Sequence, residues 1–180
     1  MRTPKFIPNY TVSDYNLWEG NWELIDGVPC AMSPSPVRRH QHFLSILSNQ
    51  ISNELNNDIS ASGDCIVVSD LDWIVNERTV LRPDLALICD AKDDFITKPP
   101  VLIAEILSPS TALNDRHVKF EIYQEQGVKY YIIANPATRT CQSYVLSGKE
   151  YIEKGFTSLE IHTGCTIAID LDKAMSAVKD

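Results

Sequence analysis

A glutamate in the middle of an apolar run is the first residue that calls for chemistry. Glu105 lies within Val-Leu-Ile-Ala-Glu-Ile-Leu, residues 101–107. A run apolar on both faces belongs to a strand buried on both sides. An isolated ionised carboxylate there would cost of order tens of kcal/mol on a bare Born estimate. It therefore needs a cation, a proton or a metal ion. A buried salt bridge, or a strand end that reaches water, would meet that need without catalysis. Asp84 follows Arg82-Pro83 and precedes a second apolar run, Leu85 to Cys89. The two runs can pair antiparallel across the polar loop Asp90 to Pro100. With Asp84 opposite Glu105, both carboxylates share one face. A slip of one residue would separate them, and a loop of this length does not fix the register. Two carboxylates on one face form a hard-oxygen site suited to Mg²⁺ or Mn²⁺. Taken alone, Asp84 also fits a Pro-Asp turn or a solvated strand end.

Lys119 is the third residue of interest. Measured from Val118 at 100° per residue, Ile122 lies at about 40°, Lys119 at about 100° and Tyr123 at about 140°. Lys119 thus projects between residues expected to pack. From there an amine can orient a water beside two carboxylates, or stabilise charge on a phosphate. A lysine stem can equally pack while its amine reaches solvent. Glu23, just before an Asp26-Gly27 turn, is a further acid. Strand alternation alone would explain it as an outward residue, with Trp22 and Leu24 inward. Arg38-Arg39-His40-Gln41-His42 is the densest cationic and imidazole group in the chain. Arginines at a helix N-terminus oppose its dipole by only about 0.3–1 kcal/mol each. They fit either a solvated face or a phosphate-contacting patch with His40 near the reacting phosphate.

These residues need elements to position them. A short helix is expected within Thr11 to Glu19, N-capped by Ser13. Trp22 to Pro29 reads as a strand, an Asp-Gly turn and a second strand. Ser33-Pro34-Ser35-Pro36 breaks the chain. A long helix follows from about Pro36 to Asn56, with Leu44, Leu47, Ile51 and Leu55 as its buried stripe. Cys65 to Val75 reads as one strand. Leu85 to Cys89 and Val101 to Leu107 are buried strands, the second stopped by Ser108-Pro109-Ser110. A helix from about Asn114 to Gln126 ends at Gly127. Tyr130 to Ala134 is another buried strand. Later strands fall near Cys141–Leu146 and Glu150–Glu153, with a short C-terminal helix. The mixture predicts an α/β or α+β fold.

Composition narrows the function. The 180 residues carry 16 Lys+Arg against 24 Asp+Glu, a net charge of −8. Residues 61–100 hold eight acids and four bases, so half of the excess lies there. Such a chain does not coat nucleic acid as a basic protein would. A nucleic-acid enzyme that uses carboxylates to hold metal remains compatible with it. One domain is expected over residues 1–180. Five widely spaced cysteines, with no Cys-x-x-Cys and no zinc spacing, read as reduced thiols of a cytoplasmic protein. No secretory signal is visible, and no apolar run is long enough for a membrane.

Several segments together resemble a known family. They are Glu23-Leu24-Ile25-Asp26-Gly27, Met32-Ser33-Pro34, His40-Gln41, Arg82-Pro83-Asp84, Glu105-Ile106-Leu107-Ser108-Pro109-Ser110-Thr111, Lys119…Tyr123…Gly127-Val128 and Tyr130-Tyr131-Ile132-Ile133…Pro136. Each motif is weak alone; all seven in order resemble the Uma2 family of the PD-(D/E)xK nuclease superfamily, most strongly over residues 10–155. The resemblance implies a restriction-endonuclease-like α/β domain, a mixed sheet flanked by helices. It implies that Asp84 and Glu105 are the metal-binding acids and that Glu23 is an additional one. The superfamily lysine usually stands two residues after the second acid, a place held here by Leu107. This family is expected to supply it from the next helix, as Lys119. His40 matches a recurrent family histidine, and Tyr130-Tyr131 stands where Tyr-Trp is usual.

The resulting expectation is a Mg²⁺- or Mn²⁺-dependent endonuclease acting on DNA. Asp84, Glu105, Lys119 and Glu23 would be catalytic, with Arg38, Arg39 and His40 contacting substrate. The protein is expected to be a cytoplasmic homodimer, independent of membranes. The alternative is a catalytically silent nuclease fold that binds DNA or a protein partner. A purely structural assembly role is the third possibility.

Overall fold

The computed structural model describes residues 8–32, 37–57, 63–90, 92–107 and 115–179. The elements are α1 (Val12–Tyr15), β1 (Trp22–Ile25), β2 (Val28–Ala31), α2 (Arg38–Asn57), β3 (Ile66–Ser69), β4 (Trp73–Asn76), β5 (Thr79–Leu81) and β6 (Leu85–Ile88). They continue with β7 (Leu102–Ile106), α3 (Asp115–Glu125), β8 (Tyr130–Asn135), β9 (Thr140–Ser147), β10 (Glu150–Glu153), β11 (Ser158–His162), β12 (Cys165–Ala168) and α4 (Leu171–Ser176).

A six-stranded sheet in the order β10-β9-β8-β7-β6-β3 forms the centre. Its one parallel pair, β7 with β8, is joined through α3. That is the crossover a parallel pair requires. Even-numbered residues of β7 and β8 and odd-numbered residues of β6 face one core. Leu102, Ala104, Ile106, Ile132 and Leu87 meet Leu44, Leu47 and Ile51 of α2 there, together with Ile161 and Ile167 of the β11–β12 hairpin. The opposite parity faces a second core. Ala86, Ile103, Tyr131 and Ile133 pack there with Tyr123 of α3 and with Trp73 and Leu81 of a second sheet. That sheet runs β2-β1-β5-β4. Glu105 shares the parity of Ile103, so its side chain points at α3.

The mixed α/β architecture and the two substantial helices agree with the sequence. Several local expectations do not. The first helix is capped by Thr11, not Ser13, through a reciprocal pair of bonds with Asp14. It spans one turn, and Ser13 lies within it. Cys65 to Val75 is not one strand. Asp70 adopts a left-handed φ of 52°, and the chain leaves the central sheet for the second one. β5, β11 and β12 are strands beyond those the sequence pattern predicts.

Cys65 and Cys89 form a disulfide, contrary to the expected set of reduced thiols. The cause is register. β3 pairs with β6 so that Ile66 faces Ile88, and one step outward sets Cys65 against Cys89. Their Cα atoms are 4.0 Å apart. The breaks expected at Ser33–Pro36 and Ser108–Ser110 lie outside the described residues. Among the described residues, no helix is long and apolar enough to cross a membrane.

Candidate active site

Register decides whether the two strand acids meet. β6 and β7 are antiparallel, with Leu85 facing Ala104, Ala86 facing Ile103 and Leu87 facing Leu102. The same register carries Asp84 opposite Glu105. Directly opposed side chains in such a pair have Cβ atoms about 4.5–5.5 Å apart. The arrangement that the loop length left open is therefore the one that unites the acids.

Helix α3 brings the lysine. Lys119 and Tyr123 are one turn apart on its inward face, and both are buried. Val118, the reference for the angular expectation, is 40% exposed. The inward stripe is thus rotated toward Lys119 itself. Lys119 Nζ lies 3.1 Å from Glu105 Oε1 and 2.7 Å from Glu23 Oε1. Tyr123 donates its hydroxyl to Glu105 Oε1 at 2.6 Å. The Tyr123 ring stacks on Trp73 and meets Tyr131 edge-on.

Glu23 is inward, not outward. Alternation assumes one wet face, but β1 is an inner strand of the second sheet, with Glu23 and Leu24 both buried. Its Oε1 also accepts the Arg82 backbone N–H at 2.7 Å. Arg82 is itself anchored by Asp72, with Nε 2.6 Å from Oδ1. Its Nη2 donates to the Tyr15 hydroxyl at 3.2 Å. Sequence reasoning missed this anchoring chain of Tyr15, Asp72 and Arg82, which ties the first helix to the site.

Asp84 is held from the other side. Oδ2 accepts the Ile106 N–H at 2.6 Å and lies 3.2 Å from His40 Nε2. His40 is 5% exposed, one turn before Leu44 on the buried stripe of α2. That spacing was the available signal for its inward direction. Its Nδ1 is buried and meets no hydrogen-bond partner among the described residues. His40 thus lies against Asp84, while Arg38 on the same turn is exposed and donates to the Lys179 carbonyl at 3.3 Å. Arg39 is half-buried between them.

The electrostatics follow from the geometry. Burial raises the Glu105 carboxyl to about 7; Lys119 pulls the other way, while Asp84 and Glu23 add to the rise. For Lys119, burial opposes the charge, but Glu105, Glu23 and Asp84 outweigh it and hold the ammonium protonated. Burial also works against the His40 imidazolium, yet Asp84, then Asp70 and Glu105, raise it above its ordinary value. Asp70 is a nearby acid that the sequence did not single out. Partial burial first, then Asp84, hold its carboxyl above the usual range.

The donor set fits a small divalent ion. Three carboxylates against one ammonium leave two negative charges when all are ionised. The Asp84 and Glu105 side chains keep 18% and 14% exposure, whereas Glu23 keeps 5%. The two strand acids therefore open toward solvent, and Glu23 is closed over Lys119. Among the described residues, no three acid, histidine or cysteine side chains form a ready-made metal cage. Two carboxylates supplemented by water and phosphate are enough for Mg²⁺.

The chain is a mixed α/β protein whose paired strand acids Asp84 and Glu105 meet a crossover-helix lysine that also binds a third acid, Glu23. The sequence matches the Uma2 family, described as "Putative restriction endonuclease", over residues 12–169, and the chain belongs to that family. An uncharacterised protein of Synechocystis sp. is 36% identical over a 127-residue alignment that covers 65% of this chain and 63% of the relative. The chain thus matches less than two thirds of that relative's length. A crystal structure of "a putative nuclease belonging to DUF820" from Anabaena variabilis superposes with a TM-score of 0.66 at 14% identity. The match covers 92% of this chain and 98% of the other, and at that identity it speaks for the fold.

Proposed function

We propose that the protein is a metal-dependent endonuclease that hydrolyses DNA phosphodiester bonds. The observation that carries this is the buried ammonium of Lys119 fixed between Glu23 and Glu105, with Asp84 across the strand pair. Asp84 and Glu105 would hold Mg²⁺ or Mn²⁺. Such an ion supplies Lewis acidity, acidifying water and offsetting phosphate charge.

The chain's own residues do the rest. An ammonium has three donors. Among the described residues Lys119 spends two on Glu23 and Glu105, and the third would orient an attacking water or meet a phosphate oxygen. Glu23 keeps the ammonium aimed, and the Arg82 N–H keeps Glu23 in place. Arg38, on the exposed first turn of α2, and its neighbour Arg39 contact the backbone of the substrate. His40 holds Asp84 from behind, a positioning role in place of the phosphate contact expected for it. Cutting both strands of a duplex with one site per chain calls for two copies, so a homodimer completes the proposal.

Nicking of supercoiled plasmid tests it. The wild-type protein should nick in Mg²⁺ and stop in EDTA. Glu105→Gln and Lys119→Ala should each lose nicking while retaining a folded circular-dichroism spectrum. Undiminished nicking by either folded variant would remove the assignment. Salt-sensitive DNA binding with no cleavage in any divalent ion would favour the silent DNA-binding alternative.

A further inference from the structure

The two strand acids are not held symmetrically by their surroundings. Each has one oxygen occupied by protein donors. On Glu105, Oε1 takes both the Lys119 ammonium at 3.1 Å and the Tyr123 hydroxyl at 2.6 Å. On Asp84, Oδ2 takes both the Ile106 N–H at 2.6 Å and His40 Nε2 at 3.2 Å. Among the described residues, no donor meets Glu105 Oε2 or Asp84 Oδ1. The same carboxylates are the ones that retain solvent exposure.

We propose that Tyr123 is a positioning residue that, with Lys119, occupies Glu105 Oε1, so that the acid offers a divalent ion one oxygen instead of two. This rests on the metal-site reading given above. It adds a consequence for ion choice. Ca²⁺ accepts bidentate carboxylates in a loose shell of six to eight oxygens, whereas Mg²⁺ demands a compact octahedron. A glutamate restricted to one oxygen favours the smaller ion, and Mn²⁺, which shares its octahedral oxygen preference.

The position suits the task. Tyr123 is fully buried, and its ring is fixed by Trp73 on one side and Tyr131 on another. It stands one helical turn from Lys119, so the two donors reach Glu105 from the same face of α3. A hydroxyl mounted on an immobile ring can hold a carboxylate rotamer. Outer partners of metal ligands typically change metal affinity by about 10–100-fold when removed.

Calorimetric titration of the full chain with Mn²⁺ and with Ca²⁺, without DNA, tests the inference. Tyr123→Phe keeps the ring contacts and removes only the hydroxyl. Tyr151→Phe is the control, since its hydroxyl donates to the Val128 carbonyl, not to Glu105. Tyr123→Phe should weaken Mn²⁺ about tenfold and leave Ca²⁺ unchanged or tighter, moving the Ca²⁺/Mn²⁺ preference by about tenfold. Tyr151→Phe should leave that preference unmoved. Equal weakening of both ions by Tyr123→Phe, or no change in either, would overturn the role assigned to Tyr123 and leave the metal site standing. Absence of Mn²⁺ binding to the wild-type protein would overturn both.

Discussion

Replacing Lys119 with methionine removes the buried cation that bridges Glu23 and Glu105 and keeps the stem volume. Deleting one partner of a buried ion pair costs about 3–5 kcal/mol, because the other charge is left without compensation. The cost here must depend on pH, since Glu105 can take a proton instead. In the wild-type protein its folded value is raised to about 7 from an ordinary 4.5. A carboxyl raised on folding contributes most stability below its unfolded value and loses it as pH climbs through the folded one. Between about pH 4.5 and 7 the wild-type protein therefore loses stability through this group. Lys119 is the neighbour that lowers Glu105, so Lys119→Met raises it further and extends the loss to higher pH. The variant should be about 3–5 kcal/mol less stable than wild type at pH 8 and much closer to it at pH 5. Urea unfolding of both proteins at the two pH values measures this, with the unfolding slope as a check that the transitions compare. Equal destabilisation at pH 5 and pH 8, or a loss below about 1 kcal/mol at pH 8, would refute the buried-cation argument.

Other consequences are checked as directly. Reducing the Cys65–Cys89 bridge, which closes a separation of 24 residues, should lower stability by about 3 kcal/mol in urea unfolding with and without reductant. His40→Ala should weaken Mn²⁺ binding about 10–100-fold by releasing Asp84, a loss read by calorimetry. Gly27→Ala should cost about 1–2 kcal/mol in thermal unfolding, because Gly27 has a φ of 81° that an L side chain adopts only with strain.

Much of this site could be read from local sequence, for physical reasons that also mark the limit. Glu105 was legible because a charge inside an apolar strand demands a partner. Lys119 was legible because helical geometry fixes its direction, although exposed Val118 was the wrong reference. Glu23 reads from sequence either as an outward strand residue or as a site acid, because alternation presumes a solvated face, and β1 has protein on both. His40 was grouped with the surface arginines, although its four-residue spacing to Leu44 places it on the buried stripe. The disulfide was not legible. It arises from a pairing of β3 with β6 across two strands that belong to another sheet, and such non-local registers leave no local trace. The same holds for the alignment of Asp84 with Glu105, which the sequence permitted but did not select.

The most direct test of the central claim is anomalous scattering from crystals soaked in Mn²⁺. The account predicts one peak or a close pair, in contact with the carboxylates of Asp84 and Glu105, with Glu23 still bound to Lys119. An ion held elsewhere, or none at these carboxylates in a preparation that nicks DNA with Mn²⁺, would contradict it.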